Sequence, residues 1–353
     1  MSEEPLRVDM LAAARDAQWS AEGFLGPGAV RAVAPAKVNL VLEVGGLRDD
    51  GYHQVATVMH ALALHDVLHL HRAPATAEEV ARRAEEAASM PSVAVGGPAS
   101  NLVVSIDVAD KAATPYPQDV RLDAADNLVF KALDALARAV GRDACEAIAV
   151  RVEKAIPFQA GLAGGSSDAA AALLAAARWW GVTPDDPAIA SVAAGLGADV
   201  AFFLRGGCAL LDGKGDRLVR PLEPCKDPLV LVKPPVGIST PKAYAAFDAA
   251  PTAVPPTVVE AMAAADRASA VPLFNSLASA AQALAPELAA VAAWLAEQPG
   301  VASAADVLLC GSGAATFART GTFAEACAIA AAAQARGWWG RATTFSGLRA
   351  AVL

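Results

Sequence analysis

A basic face, a regular cysteine pattern and an unbroken apolar run are all missing from this chain, and each absence closes off a class of protein. Lys and Arg number 28 against 37 Asp and Glu, a formal net charge of −9, so the overall field repels nucleic acid and any anionic ligand must be held by a local site. The five cysteines, Cys145, Cys208, Cys225, Cys310 and Cys327, are odd in number, scattered, and form neither a CxxC nor a Cys/His pair. That argues against a disulfide framework or a zinc site and leaves reduced, mostly buried thiols. Mean hydropathy is positive at +0.38, yet charges interrupt the Ala-rich segments before any apolar run reaches the ~18 residues that would span a bilayer. The opening residues, MSEEPLRVDM, carry acids where a secretory leader carries a positive n-region. A cytoplasmic protein with no membrane or nucleic-acid partner is therefore expected. What is present is an apolar majority: 55% hydrophobic against 18% charged residues over 353 positions, enough for a folded chain of two domains at about 150 residues each.

Residues 1–28 are mixed in composition and end in the turn Gly26-Pro27-Gly28, which predicts an extension outside the core, partly helical. A period of two follows: Val38, Leu40, Leu42 and Val44 alternate with Lys37, Asn39, Val41 and Glu43, so Lys37 and Asn39 share one face of a strand. The turn Arg48-Asp49-Asp50-Gly51-Tyr52-His53 leads to a second strand ending near His71. Residues 74–100, with the charged piece AEEVARRAEEAA, read as an insertion carrying a solvated helix. Asp126-Asn127 precede a helical pattern that stops at Gly141. A strand over AIAVRVEKAIP, a Gly/Ser-rich segment and a helix from about Asp168 to Gly181 come next. A second domain is expected from about Pro221. It would hold the strand LVLVKP, helices near 241–249, 257–265 and 276–297, the strand DVLLC, the loop Gly311-Ser312-Gly313, and a final helix and strand.

The segment AGLAGGSSDAAAALLAAA, residues 160–177, carries the clearest chemistry. Glycines let backbone N–H groups close around an anion, and a helix N-terminus adds its own donors and partial positive charge. No Lys follows the glycines and the spacing is not GxGxxG, so neither the Walker NTPases nor the Rossmann dehydrogenases account for it. Taken alone, the segment also fits a turn in which Ser166, Ser167 or Asp168 caps a helix. Other candidates have equally plain alternatives: Asp199 in Gly197-Ala198-Asp199-Val200 as a helix cap, Lys37 as a strand-end lysine reaching water, Asn127 and Thr240 as caps, and Tyr52 and His53 as exposed loop side chains. Asn39 beside Lys37 shifts the balance towards a polar cavity. The remaining histidines, His60, His65, His69 and His71, show no ligand pairing with carboxylates, and no metal is assigned to them.

In order along 33–318, the segments APAKVNLVLEV, DDGYH, IPFQAGLAGGSSDAAAALLA, GLGADVAFFLRGG and LLCGSGAATFA resemble the GHMP small-molecule kinases. The Lys-x-Asn strand, the Gly-Tyr-His turn and the Gly-Ala-Asp segment together resemble the branch that acts on 4-diphosphocytidyl-2-C-methyl-D-erythritol. The resemblance implies an α+β, two-domain GHMP kinase fold. Residues 29–220 would form an ATP-binding domain like ribosomal protein S5 domain 2, and residues 221–353 a ferredoxin-like α/β sandwich. It implies transfer of the ATP γ-phosphoryl group to the 2-hydroxyl of that small molecule, with Mg²⁺ carried by the nucleotide. Lys37 and Asp199 would flank the hydroxyl. Asn127 would lie near the adenine, and Ala160, Gly161, Leu162, Ala163, Gly164, Gly165, Ser166 and Ser167 would wrap the phosphates. Asn39, Tyr52, His53, Thr240, Tyr244 and Gly311 would border the substrate, with both tyrosines stacking on the cytosine. Gln159, Ala163, Cys310 and the insertion depart from the family pattern. A homoserine- or mevalonate-type kinase would have no use for the Gly-Tyr-His turn, and a silent ligand-binding relative would show substitutions at Lys37 or Asp199. A monomer and a weak homodimer are equally compatible with the sequence.

Overall fold

The computed structural model describes residues 29–87, 89–97, 100–117 and 123–353, and the expected extension over 1–28 lies outside them. Two long strands, β1 (Val30–Leu47) and β2 (His53–Pro74), pair antiparallel around the turn at Gly51, whose φ of +79° suits a residue without a Cβ. They centre a sheet that reads β13–β1–β2–β5–β4–β3, with β3 (Val93–Val95), β4 (Leu102–Asp110), β5 (Glu146–Lys154) and β13 (Ala351–Val352). The strand β6 (Cys208–Asp212) joins the near half of β2 and carries β7 (Arg217–Leu222), while the short β9 (Phe274–Asn275) lies parallel to β1. The chain after Pro221 thus contributes two strands to this first sheet.

Helices cover one face of it: α2 (Leu128–Ala139), α3 (Gly164–Trp180), α4 (Pro187–Leu196) and α5 (Ala198–Arg205) bury Leu133, Leu136, Leu173, Phe202 and Phe203 against Leu68, Leu70, Val104, Val150 and Val152. The second sheet, β10 (Val307–Leu309), β11 (Thr316–Arg319), β8 (Pro228–Lys233) and β12 (Trp339–Thr344) in the order β10–β11–β8–β12, is antiparallel throughout. Alternation along PLVLVK decides its two sides. Val230 and Val232 pack under α9 (Glu287–Ala296) and α10 (Phe323–Ala335), while Leu229 and Leu231 pack with Phe317 and Trp339 against Val38 and Leu40 of β1.

The register of β1 on β2 slips between Pro35 and Lys37. Before the slip, Ala32 and Ala34 face the helices; after it, Ala36, Val38 and Leu40 face the second sheet. The irregularity exchanges the faces, so Lys37 and Asn39 turn to the helix side although the alternation itself is unbroken.

Three expectations change. The helix expected over 276–297 is two, α8 (Ala278–Leu284) and α9, because Pro286 lacks an N–H and crowds the preceding turn. The helix expected from about Asp168 begins at Gly164, so the glycines and serines form its first turn. Within the insertion, α1 (Ala77–Ala87) buries no residue, as expected of a solvated helix, but β3 is an edge strand of the first sheet with Ala94 in the core. A capping box starts α1: Thr76 Oγ1 accepts from the Glu79 N–H at 3.1 Å and Glu79 Oε2 accepts from the Thr76 N–H at 2.6 Å. Among the described residues no helix is long and apolar enough to cross a membrane.

Replacing Ala77–Ala87 with a short Gly/Ser connection should change stability by less than about 1 kcal/mol, since closure entropy varies slowly with loop length. Removing β3 as well should lower the melting temperature by several degrees, because Ala94 and one row of ladder bonds go with it. Thermal unfolding of the two deletions checks the contrast.

Candidate active site

The edges of β1, α3, α5 and the 310–313 turn enclose a cleft of about 620 Å³. Its floor starts from β1. Lys37 Nζ donates to Asn39 Oδ1 at 2.8 Å, Asn39 Nδ2 donates to Thr57 Oγ1 at 2.8 Å, and Thr57 Oγ1 donates to the Val41 carbonyl at 2.6 Å. Every member of this chain is buried and hydrogen-bonded, which removes the cost of placing polar groups on an apolar strand. Lys37 also faces the Asp199 carboxylate, Nζ to Oδ1 3.7 Å, with side-chain exposures of 6% and 31%. The helix-cap alternative for Asp199 does not hold: Gly197 is the N-cap of α5, and Asp199 sits one residue inside its first turn.

Opposite this pair is the start of α3. Its N-cap is Ala163 in the left-handed region, and no side chain caps the helix, so Ser166, Ser167 and Asp168 do not serve as caps. The first backbone N–H groups of a helix have no intrahelical acceptor, and here they are left for whatever enters the cleft. Ser166 lines the cleft, whereas Ser167 is fully buried behind it and its Oγ has no hydrogen-bond partner.

Backbone contacts hold the glycine segment on two sides. Lys37 donates its N–H to the Leu162 carbonyl at 3.1 Å, while Ala314 and Ala315 donate to the carbonyls of Gln159 and Ala160 at 3.0 and 3.1 Å. Gly161 approaches so closely that a Cβ there would lie 1.9 Å from the Cys310 carbonyl oxygen, and its φ is +75°. The turn it touches is held in place by Asn275 of β9, whose Nδ2 donates to the Leu309 and Gly311 carbonyls at 2.9 and 2.7 Å. Cys310 is an inert thiol, pushed up to about 12 by burial, with Lys37 only partly opposing the shift.

At the far end, Thr240 Oγ1 and Ser312 Oγ are 3.0 Å apart and Tyr244 lines the wall. Ser239 is the N-cap of α6 (Thr240–Ala249), one residue before the expected Thr240. Burial, and secondarily the Asp199 carboxylate, pushes the Tyr244 phenol above its ordinary range. His53 stands 5.2 Å from the Tyr244 ring and is held by the Gly45 carbonyl at Nδ1, 2.9 Å, and by Asp248 at Nε2, 3.2 Å. Tyr52 is 58% exposed and lies outside the residues lining the cleft. Lys214, which does line it, places its ammonium 4.9 Å from the Tyr52 ring centre. Asn127 also lies apart, capping α2 through the Val129 N–H at 2.9 Å.

The cleft therefore joins Lys37, Asn39, Asp199, the segment 160–166, Thr240, Tyr244 and Gly311, and leaves Ser167, Asn127, Tyr52 and His53 outside its lining. Thr57, Lys214, Asn275 and Lys154 were not singled out from sequence. Only Lys214, between Gly213 and Gly215, carries a local turn signal.

Gly161→Ala should cost about 2 to 4 kcal/mol, combining left-handed backbone strain with a backbone clash. Gly165→Ala, inside α3 with no heavy atom within 4 Å of its Cβ, should be neutral or gain up to about 1 kcal/mol. Chemical denaturation of the two variants checks the contrast.

The chain resembles known proteins over nearly its whole length. The family model for the GHMP kinases N terminal domain matches residues 127–207. A 4-diphosphocytidyl-2-C-methyl-D-erythritol kinase of Pelotomaculum thermopropionicum is 36% identical over 308 residues, covering 86% of this chain and 93% of that protein. A solved structure of 4-(cytidine 5'-diphospho)-2C-methyl-D-erythritol kinase superposes with a TM-score of 0.60 at 30% identity, covering 90% of this chain and all of the other. A homoserine kinase from Cytophaga hutchinsonii, at 17% identity and TM-score 0.59, shares the fold alone over 96% of this chain and all of its own. On this likeness, and on the cleft it accompanies, the chain belongs to the 4-diphosphocytidyl-2-C-methyl-D-erythritol kinases within the GHMP kinases.

Proposed function

We propose that this chain transfers the γ-phosphoryl group of ATP to the 2-hydroxyl of 4-diphosphocytidyl-2-C-methyl-D-erythritol, giving the 2-phosphate and ADP on the non-mevalonate route to isoprenoid precursors. The observation that carries this reading is the Lys37–Asp199 pair, 3.7 Å apart, facing an uncapped helix N-terminus across one cleft. In the transfer, the acceptor oxygen attacks the γ-phosphorus, the bond from phosphorus to the ADP oxygen breaks, and the hydroxyl proton passes to the Asp199 carboxylate. Lys37, held in place by Asn39, orients the acceptor oxygen and stabilises charge that develops on the transferring group. The segment 160–166 receives the phosphates through backbone N–H groups. Mg²⁺ carried by the nucleotide would offset phosphate charge, and the Ser166 hydroxyl, a hard oxygen donor lining the cleft, would be the residue available to hold it.

The cytosine would sit at the margin formed by Tyr52, His53 and Tyr244. Of the contacts His53 makes, the one to Asp248, itself 56% exposed, is the one a base edge would replace. Lys214 supports the Tyr52 ring and brings positive charge towards a substrate that carries a diphosphate. The test of substrate identity is ADP release with the cytidylyl substrate and with its 4-phosphate precursor lacking the base; the second should be turned over poorly.

Asp199→Asn keeps shape but removes the proton acceptor, so kcat should fall by about 10²-fold or more with the KM for ATP little changed. Near-normal turnover by the folded variant would remove Asp199 from the chemistry.

Tyr52→Ala should raise the KM for the cytidylyl substrate about 5- to 150-fold, the range expected for loss of one base stack, while Tyr52→Phe stays near wild type. An unchanged KM in Tyr52→Ala would place the base elsewhere.

A further inference from the structure

Beside the glycine segment lies a buried cluster of three charged side chains, of which Lys154 also reaches the lining of the cleft. Asp66 on β2, Lys154 at the end of β5 and Asp168 in α3 are at most 5% exposed. Lys154 Nζ donates to Asp66 Oδ2 and, at 2.7 Å, to Asp168 Oδ2. Asp66 Oδ1 in turn accepts the N–H groups of Ala155 and Ile156 at 2.6 and 2.8 Å. A Cβ on Gly164 would stand 3.0 Å from Lys154 Nζ, so the ammonium lies against the first helical residue of α3. These three side chains bridge β2, the point where the segment 155–163 leaves β5, and the point where it becomes helix.

The arrangement is expensive in the interior. Burial drives both carboxyls above the ordinary carboxylate range, Asp168 to about 7, although Lys154 pulls each of them down. Asp168 Oδ1 and the adjoining Ser167 Oγ are buried without a hydrogen-bond partner. Apolar side chains of similar volume would fill such a space at equal or better stability, so stability alone does not account for two acids and one base here. What apolar packing would not do is fix, by directed bonds, the separation of the two ends of the segment 155–163. A backbone anion site works only when its donors already converge, since aligning them at the moment of binding costs affinity.

We infer that Asp66, Lys154 and Asp168 are positioning residues for the nucleotide, a buried staple that closes the segment 155–163 and presents the N-terminus of α3 to the phosphates before ATP arrives. The inference rests on the reading of that segment as the ATP phosphate site. Asp66 anchors the entry, Asp168 the exit, and Lys154 ties one to the other.

The experiment compares wild type, Asp168→Asn and the charge-free triple variant Asp66→Asn/Lys154→Met/Asp168→Asn by calorimetric binding of ATP and ADP and by steady-state kinetics, with circular dichroism and melting to establish folding. In the triple variant the Kd for both nucleotides and the KM for ATP should rise at least about tenfold, equivalent to one charge-assisted hydrogen bond. The KM for the cytidylyl substrate should stay within about twofold and kcat at saturating ATP within about threefold, because neither the acceptor site nor the reacting groups are touched. Asp168→Asn should move in the same direction by a smaller factor, and it decides the matter if the triple variant does not fold. A merely structural role would lower the folded fraction and hence kcat, leaving both KM values alone. A folded triple variant with wild-type nucleotide affinity, or a loss shared equally by both substrates, overturns the staple. Wild-type protein that binds neither ATP nor ADP overturns instead the phosphate-site reading on which it rests.

Discussion

The structure turns on one place where backbone meets backbone. Gly161 comes so near the Cys310 carbonyl that no side chain fits between them, and two N–H groups from 314–315 close on the carbonyls of 159–160. This contact joins the glycine segment, which leaves the first sheet, to a turn that hangs between two strands of the second. Without it the cleft would have one wall. The other supports act around it: Asn275 holds the turn, Lys37 holds Leu162, and the slip in β1 aims Lys37 at Asp199.

The same economy is visible in the chemistry. A buried lysine and a partly open carboxylate are brought together by the hydrogen bond that Lys37 donates to Asn39 and by the geometry of a helix start. The acids that are deeply buried, Asp66 and Asp168, lie outside the lining of the cleft. The Asp199 carboxylate thus stays near water, while Asp66 and Asp168 are sealed from it.

Much of the cleft was legible in the residues. Period-two alternation put Lys37 and Asn39 on one face, and the Gly/Ser composition marked the cleft wall that runs into a helix. The face they turn to was not legible, because it depends on the irregularity in the β1–β2 pairing between Pro35 and Lys37, which no local sequence pattern records. The early start of α3 was hidden because glycines read as loop, whereas tertiary packing holds them helical. Asp66, Lys154 and Asp168 lie on three elements, and only the assembled sheet brings them together. The break at Pro286 did carry a local signal, masked by equally apolar sequence on both sides.

The two sheets are not beads on a linker. Strands β9 and β13, both from beyond Pro221, are hydrogen-bonded into the first sheet beside β1, and the second sheet packs its Leu229–Leu231 side on that same strand. A wide hinge opening would have to break strand pairs and separate a shared core. Traffic through the cleft must therefore rely on small movements at its rim, in turns such as 213–216 and 234–239, and the slowest of these sets an upper bound on how fast product can leave.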